Sequence, residues 1–164
     1  MTDDVNHAHM VKIWFKLDPK RWHRHSSESL WAEPLAHASE SGAYRLMNSP
    51  LHVDGISFLD IVHAAPGRDG VLMFGRVIRR SGHSTFMLLV PPDSSSFGEY
   101  WEKLRQLGCS HEWGEQKTSM GKRILYSVDV PETSDLGAAV QILDEGEKRG
   151  VWMYQVGHKA RSTT

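Results

Sequence analysis

The chain has 164 residues, 40% of them apolar and 24% charged, with 19 Lys+Arg against 20 Asp+Glu and one Cys. That suffices for one ordinary domain or two small ones with a buried core, and a net charge of -1 excludes a global pull toward nucleic acid or an anionic membrane. Cys109 alone excludes an internal disulfide and a Cys-rich zinc site, so the expected compartment is a reduced cytoplasm.

Basic and acidic residues balance in both halves, with 10 and 9 over residues 1–82 and 9 and 11 over residues 83–164. No apolar run approaches the roughly 18 residues a spanning helix needs. The polar start, residues 1–9, reads as disordered and not as a secretory signal.

In chain order, Val11, Ile13, Phe15 and Leu17 alternate with Lys12, Trp14 and Lys16, which predicts a half-buried strand over residues 10–17. Asp18-Pro19 ends it, and residues 19–26 form a basic, aromatic loop. Further strands are expected over 27–33 and 44–47, with a strand or short helix-strand unit over 56–63. Pro66-Gly67-Arg68-Asp69-Gly70 is a hairpin connection into a strand over 71–80. Five short strands without a long helix suit a small, strongly bent sheet or barrel.

After Ser81-Gly82 the pattern changes. Thr85 to Val90 is a continuous apolar strand, and Ser96 with Glu99 reads as a capping box. Phe97, Tyr100, Trp101, Leu104 and Leu107 recur at helical spacing, with Gly108 at the helix end. Strands near 109–113 and 123–130 follow, joined by the polar stretch 116–122. Ser134 is placed to cap a second helix with the stripe Leu136, Ala139, Val140 and Leu143, ahead of a last strand over 151–156. The order strand, helix, strand, strand, helix, strand is the ferredoxin-like βαββαβ arrangement. The expected fold is therefore α+β. Residues 10–81 form the β-rich, barrel-like part, residues 82–158 the ferredoxin-like part, and 159–164 a polar tail.

No motif fixes a reaction, since phosphate-loop, zinc and dinucleotide signatures are all missing. Ser81, His83 and Ser84 lie at the predicted junction, where a cleft between parts can bind a ligand. There His83 can serve as acid or base, oriented by a flanking hydroxyl, with Asp60 or Glu33 as carboxylate. The plainer reading has these groups satisfying backbone at a turn, and it ranks first. Trp31 beside Glu33 offers a platform for a cationic or aromatic partner, against a Trp that merely covers a seam. His52, Asp54, Asp60 and His63 can gather around the Gly55 turn, and His23 and His25 share a strand face, but no metal is expected. Lys20 to His25 interleaves bases with aromatics as single-stranded nucleic acid binders do. An exposed, solvating loop ranks above that. Cys109 reads as a buried structural thiol.

Several blocks together resemble a known bacterial family. They are Phe15-Lys16-Leu17, Glu28-Ser29-Leu30-Trp31-Ala32-Glu33-Pro34-Leu35, Tyr44-Arg45-Leu46 with Asn48-Ser49-Pro50, Gly55-Ile56-Ser57, Ser81-Gly82-His83-Ser84-Thr85, and the late run Leu143-Asp144-Glu145-Gly146-Glu147. In this order, over residues 11–156, they resemble the domain of unknown function 4265 family. The resemblance implies a small, complete, standalone bacterial protein and transfers no catalytic residue. Leu51-His52 stands where the family has an apolar or aromatic pair, which weakens any role for His52. The leading expectation is a non-catalytic binding or regulatory protein, immunity- or antitoxin-like, without a cofactor. Its partner is an unknown protein or small molecule, with no membrane and with nucleic acid ranked last. The rival is a small enzyme or ligand-binding protein built on His83, Ser81 and Ser84, with Trp31, Glu33, Asp60 and His63 as contacts.

Overall fold

The computed structural model describes residues 9–160. The polar start, except His9, and residues 161–164 of the tail lie outside the described residues. Strand β1 (Val11–Lys16) alternates as its sequence does, with Ile13 and Phe15 buried and Lys12, Trp14 and Lys16 turned out. Strands β2 (Ser27–Pro34), β3 (Ala43–Leu46), β4 (Ile61–Pro66) and β5 (Leu72–Arg79) follow, with a single helical turn, α1 (Ala38–Ser41), before β3. Each consecutive pair is antiparallel. Four antiparallel steps, an even number, leave the first and fifth strands pointing the same way. The sheet therefore closes into a barrel through a short parallel pairing, Ile13 with Leu72 and Trp14 with Met73. Ile13, Phe15, Leu30, Ala32, Leu46 and Val62 fill the inside.

The second sheet has strands β6 (Ser84–Val90), β7 (Ser110–Thr118), β8 (Gly121–Val130) and β9 (Met153–His158), with helices α2 (Phe97–Gln106) and α3 (Leu136–Lys148). Its order is β7-β8-β6-β9, and every neighbour is antiparallel. Phe86, Leu88 and Val90 of β6 and Val128 and Val130 of β8 pack with Tyr100 and Leu104 of α2 and Ala139 and Leu143 of α3. The opposite face carries Thr85 and Met87, also buried, and turns toward the barrel loops. Covering both faces explains why β6 is continuously apolar. The described residues are mostly β with three helices, an α+β protein.

Some elements differ from expectation. Residues 47–60 form turns and irregular chain ahead of β4, not a unit beginning at 56. The polar stretch 116–122 is mostly strand, because β7 and β8 pair out to Thr118 and Gly121 around a two-residue turn. A ladder satisfies backbone groups whatever its side chains, so hydrophobicity alone hides it. Ser96 stands at the α2 N-cap without a side-chain hydrogen bond, so no capping box forms. Asp135, not Ser134, caps α3 by accepting from Ala138 N–H, while the Ser134 hydroxyl donates to Leu107 O at 2.5 Å.

Candidate functional site at the junction of barrel and sheet

The chain leaves the barrel through Arg80 to His83, and the seam is built around this passage. Asp60 is fully buried. It accepts from Ser57 N–H at 2.9 Å, Ser81 N–H at 2.8 Å and the Arg80 guanidinium at 3.2 Å. Across the seam the Ser57 and Thr85 hydroxyls meet at 2.7 Å, and Gly55 N–H donates to Gly157 O at 2.8 Å.

His83 sits beside this clamp. Its Nδ1 lies 2.9 and 3.0 Å from the two carboxylate oxygens of Asp129 on β8. Phe58 meets the imidazole edge-on at 5.6 Å. The His83 side chain is 14% exposed and that of Asp129 5%. Burial pushes the Asp129 carboxyl up, and its hydrogen bond with His83 pulls the other way. A carboxylate on Nδ1 holds a proton there and makes Nε2 the acceptor. The two hydroxyls are engaged elsewhere. Ser81 Oγ donates to Phe58 O at 2.7 Å and accepts from His83 N–H, and Ser84 Oγ accepts from Ala160 N–H. An open hollow of about 460 Å3 adjoins, lined by Gly82, Ser84, Glu132, Asp135 and Lys159 among others.

The expected contact residues divide. Asp60 joins the junction as its anchor. Trp31 and Glu33 lie on the barrel strand β2, where Lys12 stands over the Trp31 ring at 4.9 Å and Arg45 meets Glu33 at 3.3 Å. His63 of β4 packs between Gly42 and Gly75, where a β-carbon would touch its ring at 2.9 and 3.0 Å. His52 meets neither Asp60 nor His63. Its ring lies 4.3 Å from His25 and 5.3 Å from His23, and its Nε2 is 3.3 Å from Gln116 Oε1 of β7. Glu28 holds the loop of His52 by accepting three N–H groups, from Leu51, His52 and Val53. Burial and neighbouring His25 lower the His23 ring, and burial above all lowers His52.

The basic loop is exposed along most of its length, as expected, with Lys20, Arg21, Arg24 and His25 all in solvent, but Trp22 and His23 pin it to the second sheet. His23 is buried, its carbonyl accepts from Gln116, and Trp22 lines a groove with Met87, Leu89 and Met153. The loop folds back because the sheet face it covers is apolar. Asp129 and Gln116 are the partners the sequence reading missed. Asp129 had a signal, as a carboxylate alternating into the apolar run Val128 to Val130. Among the described residues no three His, Cys, Asp or Glu side chains gather to hold a metal ion, and no helix is long and apolar enough to cross a membrane.

A family described as a domain of unknown function (DUF4265) matches residues 28–154. The chain belongs to that family. A crystal structure titled as that of a hypothetical protein from Neisseria gonorrhoeae is similar in fold, at 17% identity and a TM-score of 0.69, over 92% of this chain and 96% of that one. No curated protein matches the sequence.

Proposed function

We propose that this chain is a non-catalytic binding protein that grips a protein partner through edge strand β7. The observation that carries this is Trp113, 62% exposed in the middle of that strand. Large aromatics anchor interfaces, and leaving one in water forgoes its burial. His111 shares its face of β7 and contacts Trp101 at 4.3 Å and Tyr126 at 4.9 Å, so Trp113 extends a packed aromatic row. Glu115 with Lys122 supplies the polar rim an interface needs. At the junction, by contrast, the Ser81, Ser84 and Asp60 groups are spent on internal hydrogen bonds. An immunity- or antitoxin-like role fits a small chain that acts by covering a partner.

The same reading takes residues 10–81 and 82–158 as two units and the second as ferredoxin-like. The order β7-β8-β6-β9, with each helix joining two strands that flank a third, supports it. A buried, lone Cys109 suits a cytoplasmic setting.

Affinity capture from host lysate with wild type, Trp113→Ala and His83→Ala tests this. A stoichiometric protein partner kept by His83→Ala and lost by Trp113→Ala is the expected result. Equal capture by all three forms overturns it. The His83–Asp129 pair favours a second reading, a small-molecule site using His83 Nε2. That reading requires a small molecule bound by wild type and lost in a folded His83→Ala.

A further inference from the structure

Among the described residues the second sheet ends in two edge strands with no further strand beside them, β7 and β9, and they are built differently; near the end of β9 the Gly157 carbonyl is already taken by Gly55 N–H. Strand β7 carries Glu112, Glu115 and Lys117 along its length. Charges of this kind keep an exposed edge from pairing with another strand. Strand β9 reads Met-Tyr-Gln-Val-Gly-His, without a charged residue or a proline. Burial is the first cause lowering the His158 ring, which favours its neutral form. Met153 is 54% and Val156 49% exposed there.

The backbone of β9 is also turned for pairing. Tyr154 N–H donates to the Glu147 side chain at 3.2 Å, so it points away from the ladder with β6. Antiparallel strands alternate inward and outward pairs, so Val156 faces outward as Tyr154 does.

We infer that β9 pairs antiparallel with β9 of a second copy, joining two four-stranded sheets into one. The inference goes beyond the β7 reading and stands without it. Self-complementarity picks the occupant. Residues directly opposite in an antiparallel pair share a face, so a two-fold pair of like strands must centre on a residue. Centring on Gln155 pairs Met153 through Gly157, all of the strand but His158. Tyr154 of each copy then faces Val156 of the other, an aromatic with a β-branched residue, which is a favoured cross-strand pair. Gln155 meets Gln155, amide to amide. Met153 lies over Gly157, which has no side chain to obstruct it. The Val156 carbonyl of one copy replaces Glu147 on the Tyr154 N–H of the other. No charge faces a like charge within the paired strands.

The test is light scattering of the full chain across a concentration series, with Val156→Lys, Trp113→Lys and Gln155→Cys. Wild type should reach twice the mass of one chain and Trp113→Lys should match it. Val156→Lys should stay at the single-chain mass with an unchanged circular dichroism spectrum. Gln155→Cys should cross-link on oxidation, because facing residues of a non-hydrogen-bonded pair are about 4.5 Å apart, within disulfide reach. The parent should not cross-link, since Cys109 is buried. A wild type that stays at single-chain mass throughout overturns the inference. So does a dimer that survives in folded Val156→Lys. If Val156→Lys fails to fold, Gln155→Cys decides, and a dimer it leaves uncross-linked also refutes the pairing. Loss of the dimer in Trp113→Lys alone would move the contact to β7.

Discussion

A β-carbon on Gly146 would stand 2.4 Å from two ring atoms of Trp152, so the indole fills the place where a side chain would grow from α3. Trp152 is buried and donates its Nε1–H to Leu143 O at 2.9 Å, which fixes the ring across that gap. Helix propensity alone favours alanine over glycine by about 1 kcal/mol. The steric conflict is the larger effect, and overpacking a core costs roughly 1–3 kcal/mol. Gly146→Ala should therefore lower stability in urea unfolding, and a stabilised variant would show that the ring moves aside freely.

Asp60 should be the most sensitive polar residue of the seam. Removing it strands the Ser57 and Ser81 N–H groups and deprives Arg80 of its partner. Unsatisfied buried donors and a broken buried ion pair together put the loss for Asp60→Ala at about 2–5 kcal/mol. Arg80→Ala should cost less, because its side chain is 46% exposed and water can replace it. Chemical denaturation of both variants checks the order, and a larger loss at Arg80 would contradict it.

The strands of the barrel and the two long helices are legible in the sequence because period-two and helical apolar patterns report burial directly. Ser81, His83 and Asp60 are legible as a junction for the same reason, since the pattern changes at Gly82. Asp129 is 46 residues from His83 and Gln116 is 64 from His52. Such partners are set by tertiary packing, and no local period encodes them. The docking of Trp22 and His23, within an otherwise exposed Lys20 to His25 loop, is hidden likewise. Whether a basic aromatic loop faces water depends on the sheet face it meets.

Cys109 tests how tightly the second core is closed. Burial first, then the Asp129 charge, pushes its thiol up to about 11. A protonated, buried thiol is a poor nucleophile. Labelling by a disulfide reagent should be slow in native conditions and follow global unfolding as urea rises. Fast native labelling that ignores urea would mean that β7 opens locally.

Stability should fall as the medium turns mildly acidic. His23, His52, His111 and His158 all hold their rings below the ordinary 6.5, with burial the first cause in each. In the unfolded chain these rings take up protons near 6.5, before the folded rings do. The folded state then binds fewer protons, so stability present above pH 6.5 is lost as pH falls through the lowered values. Each proton contributes a slope of at most about 1.4 kcal/mol per pH unit. Glu112 and Asp129, raised by burial, act in the opposite sense, favouring the folded state as pH falls toward the ordinary carboxylate range. Urea midpoints should therefore drop between about pH 7 and about pH 5.5. His52→Gln keeps an amide beside Gln116 and removes one titrating ring, so its profile should be flatter than that of wild type. Parallel profiles for the two proteins would place the titration elsewhere than the three-histidine cluster.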